Sequence, residues 1–166
     1  AIDQDAVLGG LSAIGSAWVT LRTTGALERL IVSAMALGLA GAIVERAIDF
    51  ARSREQFGQP IAKFQSIQHM LVEMRTGETA MRLFVENALG ALERFGSAGA
   101  EIPMAKYFCA EQLQNIAALG MRVMGGRGFF RFEEMERYYR EAPFSLFAGG
   151  TVEIQKMLIA RAIGLS

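Results

Sequence analysis

Four short clusters in this 166-residue chain contain residue types that can do chemistry. The first, Leu27-Glu28-Arg29, offers a carboxylate, which an apolar setting can tune into a general base. The second, residues 54–65, opens with Arg54, whose guanidinium type matches phosphate oxygens through two parallel hydrogen bonds. The third and fourth, residues 124–129 and 149–155, each contain paired glycines. Proton abstraction and phosphate binding are therefore the chemistries to consider.

Each cluster also has a structural interpretation that the sequence leaves open. Glu28 could be an ordinary glutamate in the first turn of a helix, where the helix dipole favours a negative charge. Arg54 could cap the C-terminus of the first helix, and Gly125-Gly126 could be a helix stop. Thr151 is a good N-cap for the last helix and can combine that role with ligand binding.

Apolar residues spaced three and four apart predict the helices that position these clusters. The predicted stripes run over residues 27–51, about 61–94 and 105–123, and a last helix is expected from about residue 151. Gly38 and Gly41 are expected to let another backbone approach the first helix closely. The pattern predicts an all-α, antiparallel, mostly four-helix bundle over residues 11–166. Residues 1–10, which begin without Met, are interpreted as the tail of an upstream β-domain.

Composition narrows the function classes. The formal net charge is zero, which gives no indication of nucleic-acid binding. The longest apolar run, residues 30–44, is shorter than the ~20 residues needed to span a bilayer, so a buried helix is expected. The single cysteine, Cys109, is expected to be a core residue and suits a reducing compartment, the cytoplasm or a mitochondrial matrix. No cluster has metal-ligand spacing.

The pattern R-x-x-F-G-x-x-I-x-x-F-Q over residues 54–65 resembles the helix-to-helix corner of the acyl-CoA dehydrogenase flavoprotein family. The other three clusters fit the same family in the same order. This resemblance implies an FAD-dependent oxidoreductase that dehydrogenates an acyl-CoA thioester between its α and β carbons. It also implies a homo-oligomer, tetramer or dimer, with FAD sites shared between subunits. Electrons would pass to an electron-transfer flavoprotein or another acceptor.

The resemblance also implies a position for the catalytic base. In many members a glutamate directly precedes the Gly-Thr of the last motif, where this chain has Gly149. The isovaleryl- and long-chain-type branches instead place it on the first helix in a Leu-Glu-Arg setting, with a small late residue. Glu28 is therefore the candidate catalytic base. Arg29 and Gly150 are candidate substrate-binding residues, and Arg29 would position the thioester or keep Glu28 ionised.

The candidate FAD-binding residues follow from the resemblance in the same way. Arg54 resembles the residue that reaches the pyrophosphate of a neighbouring subunit's FAD. Arg122 and Arg127 depart from the usual family residues, although an arginine there could meet a phosphate. The full set of candidate FAD-binding residues is Arg54, Phe57, Gln65, Arg122, Gly125, Gly126, Thr151 and Glu153.

Two alternatives stay open at this point. Gly149, Arg122 and Arg127 favour a non-catalytic assembly subunit that pairs with an active homologue, whereas Glu28 opposes it. An acyl-CoA oxidase, in which oxygen takes the electrons, would keep the same four clusters.

Overall fold

Six helices dominate the computed structural model, which describes residues 6–7, 9–95 and 99–165. The predicted all-α bundle is confirmed, while most of the predicted strand tail over residues 1–10 lies outside the described residues. A 3-10 turn, Leu11–Ala13, precedes the first helix, and two more, Ile61–Lys63 and Gly125–Phe129, lie between later elements. The helices are α1 (Ala17–Ser53), α2 (Gln65–Phe95), α3 (Glu101–Met124), α4 (Glu134–Glu141), α5 (Phe144–Phe147) and α6 (Val152–Ala162).

Consecutive long helices run antiparallel. Arg75 of α2 pairs with Glu45 of α1. One turn later in α2, Glu78 contacts Gly41, which lies one turn earlier in α1. In the α2–α3 pair the Sγ atom of Cys109 lies 3.7 Å from the carbonyl oxygen of Met81. The short α6 packs against α3 as the fourth helix.

The core lies where α1, α2 and α3 meet. Cys109 is completely buried, as expected for a core residue, and this burial raises the pKa of its thiol to about 12. Each fully buried aliphatic side chain contributes about 1.5–3 kcal/mol to folding. The largest of these apolar residues are Ile43, Met74, Met81, Ile102, Leu113, Ile116 and Met135.

Helix α1 is a core helix of the bundle, as the sequence predicts. The stretch Thr24–Ser53 is long and apolar enough to cross a membrane by length and composition alone, a test that core helices of soluble proteins also pass. Ala40, Ile43, Val44 and Ala47 of this stretch are completely buried against the rest of the domain.

Two details of helix α1 differ from the sequence-based expectation. The helix begins at Ala17, ten residues before the predicted stripe. Within the described part of the chain no backbone makes the close approach expected at Gly38 and Gly41, because a Cβ atom added at Gly38 would meet nothing within 4 Å and one at Gly41 only the Glu78 side chain. The tight contacts lie at Gly77, beside Gln112, and at Gly120, beside Ile43. Periodicity marks an apolar face but does not say which point of it touches another helix.

The corner between α1 and α2 is a small β-hairpin, β1 (Glu55–Gln56) and β2 (Gln59–Pro60), whose strands are too short to show alternation. Phe57 and Gly58 at its tip have φ values of 53° and 80°, as a two-residue turn with two left-handed positions requires. For Phe57 this conformation costs about 1–2 kcal/mol. The hairpin holds Arg54 at its base and presents Phe57 at its tip.

Candidate functional site

Glu28 lies well inside helix α1 and not at its start. Eleven residues separate it from Ala17, which is about three helical turns. Its side chain is exposed. The structural interpretation that placed Glu28 in a first turn is therefore wrong, because the effect of the helix dipole fades within that turn.

The late glycine lies against α1 beside Glu28. A Cβ atom added at Gly149 would be 3.5 Å from the Cα atom of Arg29 and 3.5 Å from Cγ2 of Val32. By the family resemblance, the catalytic base is found either at the position of Glu28 or at that of Gly149. These two positions are therefore close in space. A side chain carried at position 149 would start beside Arg29, the residue that follows Glu28.

Arg29 is half-buried at this contact. Burial lowers the pKa of its guanidinium, and the neighbouring Glu28 opposes that shift. Its Nε atom is buried and has no hydrogen-bond partner among the described residues. An N–H group left unpaired in this way can donate to an acceptor on a ligand.

The turn 149–151 is held by a residue that sequence reasoning missed. Gln155 of α6 is completely buried, and its Nε2 atom donates to the carbonyl oxygens of Gly149, Gly150 and Thr151 at 3.4, 3.0 and 3.4 Å. Gly149 and Gly150 have φ values of 66° and 93°, which glycine adopts without strain. The available signal was a polar residue on the buried side of an apolar helix.

Thr151 is the N-cap of α6, as predicted. Its Oγ1 atom accepts a hydrogen bond from the backbone N–H of Ile154 at 3.4 Å. Glu153 is exposed in the first turn, and hydrogen bonds from its own backbone N–H and from Thr151 lower the pKa of its carboxyl. The flavin contact of both residues stays a prediction.

Lys106 is a second group that the sequence did not single out. It is 1% exposed, and its Nζ atom donates to the carbonyl oxygen of Leu146 at 3.1 Å. Burial lowers the pKa of its ammonium group; Glu153 opposes this shift and Arg29 adds to it. Lys106 thereby ties α3 to α5, directly before the turn 149–151.

A second cluster lies at the other end of α1. Arg54 is the C-cap residue, and its backbone N–H donates to the carbonyl of Phe50 at 2.8 Å. Its exposed guanidinium makes no hydrogen bond or ion pair with any described residue, so the side chain does not cap the helix. It lines a cavity of about 410 Å³ formed by Arg46, Phe50, Ser53, Arg54, Glu55 and Arg127.

A buried carboxylate orders this cavity. Glu133 is 4% exposed and forms ion pairs with Arg46 through one oxygen and with Arg127 through the other. The hydrogen bonds from Arg127 and Arg46 hold the pKa of Glu133 below its usual range. The loop after α3 is thus fixed to α1 close to Arg54.

The remaining candidate FAD-binding residues lie at several different places in the structure. Phe57 is 93% exposed at the hairpin tip, and Gln65 is exposed at the start of α2. Gly125 ends α3 with a φ of 56°, which confirms its role as a helix stop, and Gly126 beside it faces open space. Arg122 lines a different groove, between α2 and α3, and does not line the cavity of Arg54.

The two clusters are far apart on one chain. Glu28 and Arg54 are separated by 26 residues of continuous helix, which is about 39 Å. That is further than one dinucleotide cofactor extends. Among the described residues, no group of three or more His, Cys, Asp or Glu could hold a metal ion.

A helical bundle with a carboxylate on its long first helix and an arginine-lined cavity at the far end fits a domain of a nucleotide-dependent enzyme. Residues 18–164 match the family described as acyl-CoA dehydrogenase, C-terminal domain. The chain therefore belongs to the acyl-CoA dehydrogenase family.

Curated relatives agree with this membership. A 3-(aryl)acrylate reductase of Clostridium sporogenes is 38% identical over 150 residues, 90% of this chain and 40% of that protein. A benzylmalonyl-CoA dehydrogenase of Aromatoleum aromaticum is 38% identical over 86% of this chain and 38% of its own. The caffeyl-CoA reductase–Etf complex subunit CarC of Acetobacterium woodii is 34% identical over 80% of this chain and 35% of its own.

Solved structures share the fold. An acyl-CoA dehydrogenase from Geobacillus kaustophilus superposes with a TM-score of 0.85 at 31% identity, over 89% of this chain and 39% of that one. The FAD complex of PigA superposes with a TM-score of 0.82 at 27% identity, over 87% and 38%. The chain thus spans 35% to 40% of the length of these relatives.

Proposed function

We propose that this chain is the C-terminal domain of an FAD-dependent acyl-CoA dehydrogenase in which Glu28 is the base. The observation that carries the proposal is the contact of Gly149 with α1 at Arg29. Because the late position has no side chain, no second carboxylate occupies the surface of α1 at Arg29, next to Glu28. FAD, when bound, would accept the hydride from the β-carbon of the acyl group.

The chain's own residues supply the proton chemistry. Glu28 would remove the α-proton of the thioester, and Arg29 follows it directly on α1. The buried Nε–H of Arg29 has no partner among the described residues, and a thioester oxygen would be a suitable acceptor for it. Gly150 would border the same space, and Gln155 keeps the turn that contains it in place.

The donor groups also fit a flavin dinucleotide. The unpaired guanidinium of Arg54 suits a diphosphate, and the exposed ring of Phe57 offers an apolar surface beside it. Since Arg54 and Glu28 are about 39 Å apart, each flavin would contact Arg54 of one subunit and Thr151 and Glu153 of another. The proposed assembly is therefore a homo-oligomer, a tetramer or a dimer.

A second candidate is the reverse reaction, reduction of the double bond of an α,β-unsaturated acyl thioester. It is favoured by the names of two relatives, a 3-(aryl)acrylate reductase and a caffeyl-CoA reductase subunit. The name of the latter also supports an electron-transfer flavoprotein as the redox partner. In this direction Glu28 would deliver the proton to the α-carbon.

The test uses the complete reading frame that contains this sequence, as wild type and Glu28→Gln. Flavin absorbance is followed under argon during addition of saturated acyl-CoA thioesters, and reduced flavin is followed during addition of unsaturated ones. We expect bleaching in wild type and its loss in the variant, with FAD still bound. Glu86→Gln, an exposed glutamate on α2, is the matched control. Equal behaviour of wild type and Glu28→Gln would favour the non-catalytic assembly subunit.

A further inference from the structure

The arginine cavity at the end of α1 contains one cation more than its carboxylates neutralise. Arg46, Arg54 and Arg127 line it, and Glu55 and Glu133 are the carboxylates beside them. Both oxygens of Glu133 are already used, one by Arg46 and the other by Arg127. The guanidinium of Arg54 has no partner among the described residues. The cavity therefore has an excess positive charge and unused donors.

Arg127 is held in a way that leaves most of its guanidinium available. Only its Nε atom is bonded to Glu133, and its two Nη atoms make no hydrogen bond with a described residue. The side chain is 58% exposed, whereas the carboxylate that holds it is 4% exposed. A rigid acceptor behind a planar guanidinium fixes the direction of the remaining N–H groups.

From this geometry we propose that Arg127 is a second phosphate-binding residue, which acts together with Arg54 on the diphosphate of a dinucleotide cofactor. Two guanidinium groups with free N–H donors match a diphosphate better than a monophosphate, because each phosphate can receive its own bidentate pair. Glu133 is the positioning residue, since it orients Arg127 and offsets the repulsion between Arg127 and Arg46. The proposal rests on the proposed FAD site and adds a residue to it.

The test measures binding and does not depend on catalysis. The complete protein is stripped of FAD, and the dissociation constants of FAD, ADP and AMP are measured for wild type, Arg127→Met and Arg54→Met. We expect Arg127→Met to weaken FAD and ADP binding about 10- to 100-fold, the range for a hydrogen-bonded charge pair. AMP should be affected much less, so the preference for ADP over AMP should shrink.

Two further variants complete the test, one as a matched control and one as an alternative to Arg127→Met. Arg131→Met removes an arginine from the same loop that does not line the cavity, and it should bind FAD like wild type. Arg127→Lys keeps the charge beside Glu133 but loses the planar fork, so it should bind ADP about 3- to 10-fold more weakly than wild type. It serves if Arg127→Met fails to fold, which denaturant unfolding reports.

The outcomes separate this inference from the proposed function. Unchanged FAD and ADP binding in Arg127→Met, or in Arg127→Lys if that is the folded variant, overturns the role of Arg127. If Arg54→Met still weakens FAD binding in that case, the FAD site itself stands. If the wild-type protein binds no FAD, both the cofactor assignment and the diphosphate role fail. If it binds FAD but binds ADP and AMP equally well, only the diphosphate role fails.

Discussion

Moving the carboxylate from Glu28 to Gly149 is the most direct test of the proposed base. A Cβ atom at Gly149 would lie 3.5 Å from the Cα atom of Arg29, and neighbouring Cα atoms are about 3.8 Å apart. The new side chain would therefore start within about 7 Å of the Cα atom of Glu28. The double variant Glu28→Gln/Gly149→Glu should regain part of the activity that Glu28→Gln loses.

The magnitudes follow from general-base catalysis and from the backbone. Removal of a general base lowers the rate of proton transfer about 10²- to 10⁴-fold. The φ of 66° at Gly149 costs a non-glycine residue about 1–2 kcal/mol of folding stability. The nearest neighbours of an added Cβ atom lie at 3.5 Å, an ordinary van der Waals contact, so the Cβ atom itself adds no clash. We expect flavin reduction at least about 10-fold faster in the double variant than in Glu28→Gln.

The assay is anaerobic stopped-flow absorbance of the bound flavin after mixing with an acyl-CoA that bleaches the wild type. Glu28→Gln/Gly149→Gln is the control, because it has the same backbone strain without a charge. If the glutamate and glutamine versions reduce flavin equally slowly, with FAD bound and the same unfolding midpoint, the shared space beside Arg29 is not the site of proton abstraction.

Four further predictions concern stability and are measured by denaturant unfolding. Gly120→Ala should lower the free energy of unfolding by about 1–3 kcal/mol, because its Cβ would lie 2.9 Å from Ile43 Cγ2. Gly38→Ala, in open space, should raise it by about 0.5–1 kcal/mol, and a loss there would contradict the packing. Lys106 has a lowered pKa in the folded state, so the unfolded state binds the proton more tightly, and the free energy of unfolding should rise as the pH rises towards the usual pKa of 10.5. Lys106→Met should remove this rise. The same dependence of stability on pH in wild type and variant would refute the role of Lys106. Glu133 has a pKa below its usual 4.5, so its contribution to the free energy of unfolding is present above pH 4.5 and is lost as the pH falls through its folded-state pKa. Glu133→Gln should lower the free energy of unfolding by about 1.5–3 kcal/mol at pH 7 and remove this loss of stability in acid. An unchanged loss of stability in acid would exclude Glu133 as its source.

The local features of this domain could be predicted from the sequence. Spacings of three and four residues indicate the helices because their period is a property of each segment alone. The N-cap role of Thr151 and the helix stop at Gly125 depend only on neighbours along the chain. The burial of Cys109 follows in the same way from its place on an apolar face. The family membership followed from four motifs in order, which is also information contained in the linear sequence.

The contacts between distant segments were decided only by the tertiary structure. Gly149 meets α1 beside Glu28, and Arg127 lies at the cavity of Arg54, because helix packing brings together residues that are far apart in sequence. The close approach at Gly120, and not at Gly38, depends on which point of α1 faces α3. Periodicity defines a face, whereas the rotation and register of packed helices decide which residues of two faces meet. For that reason the sequence indicated the chemical groups, and the fold determined which of them can act together.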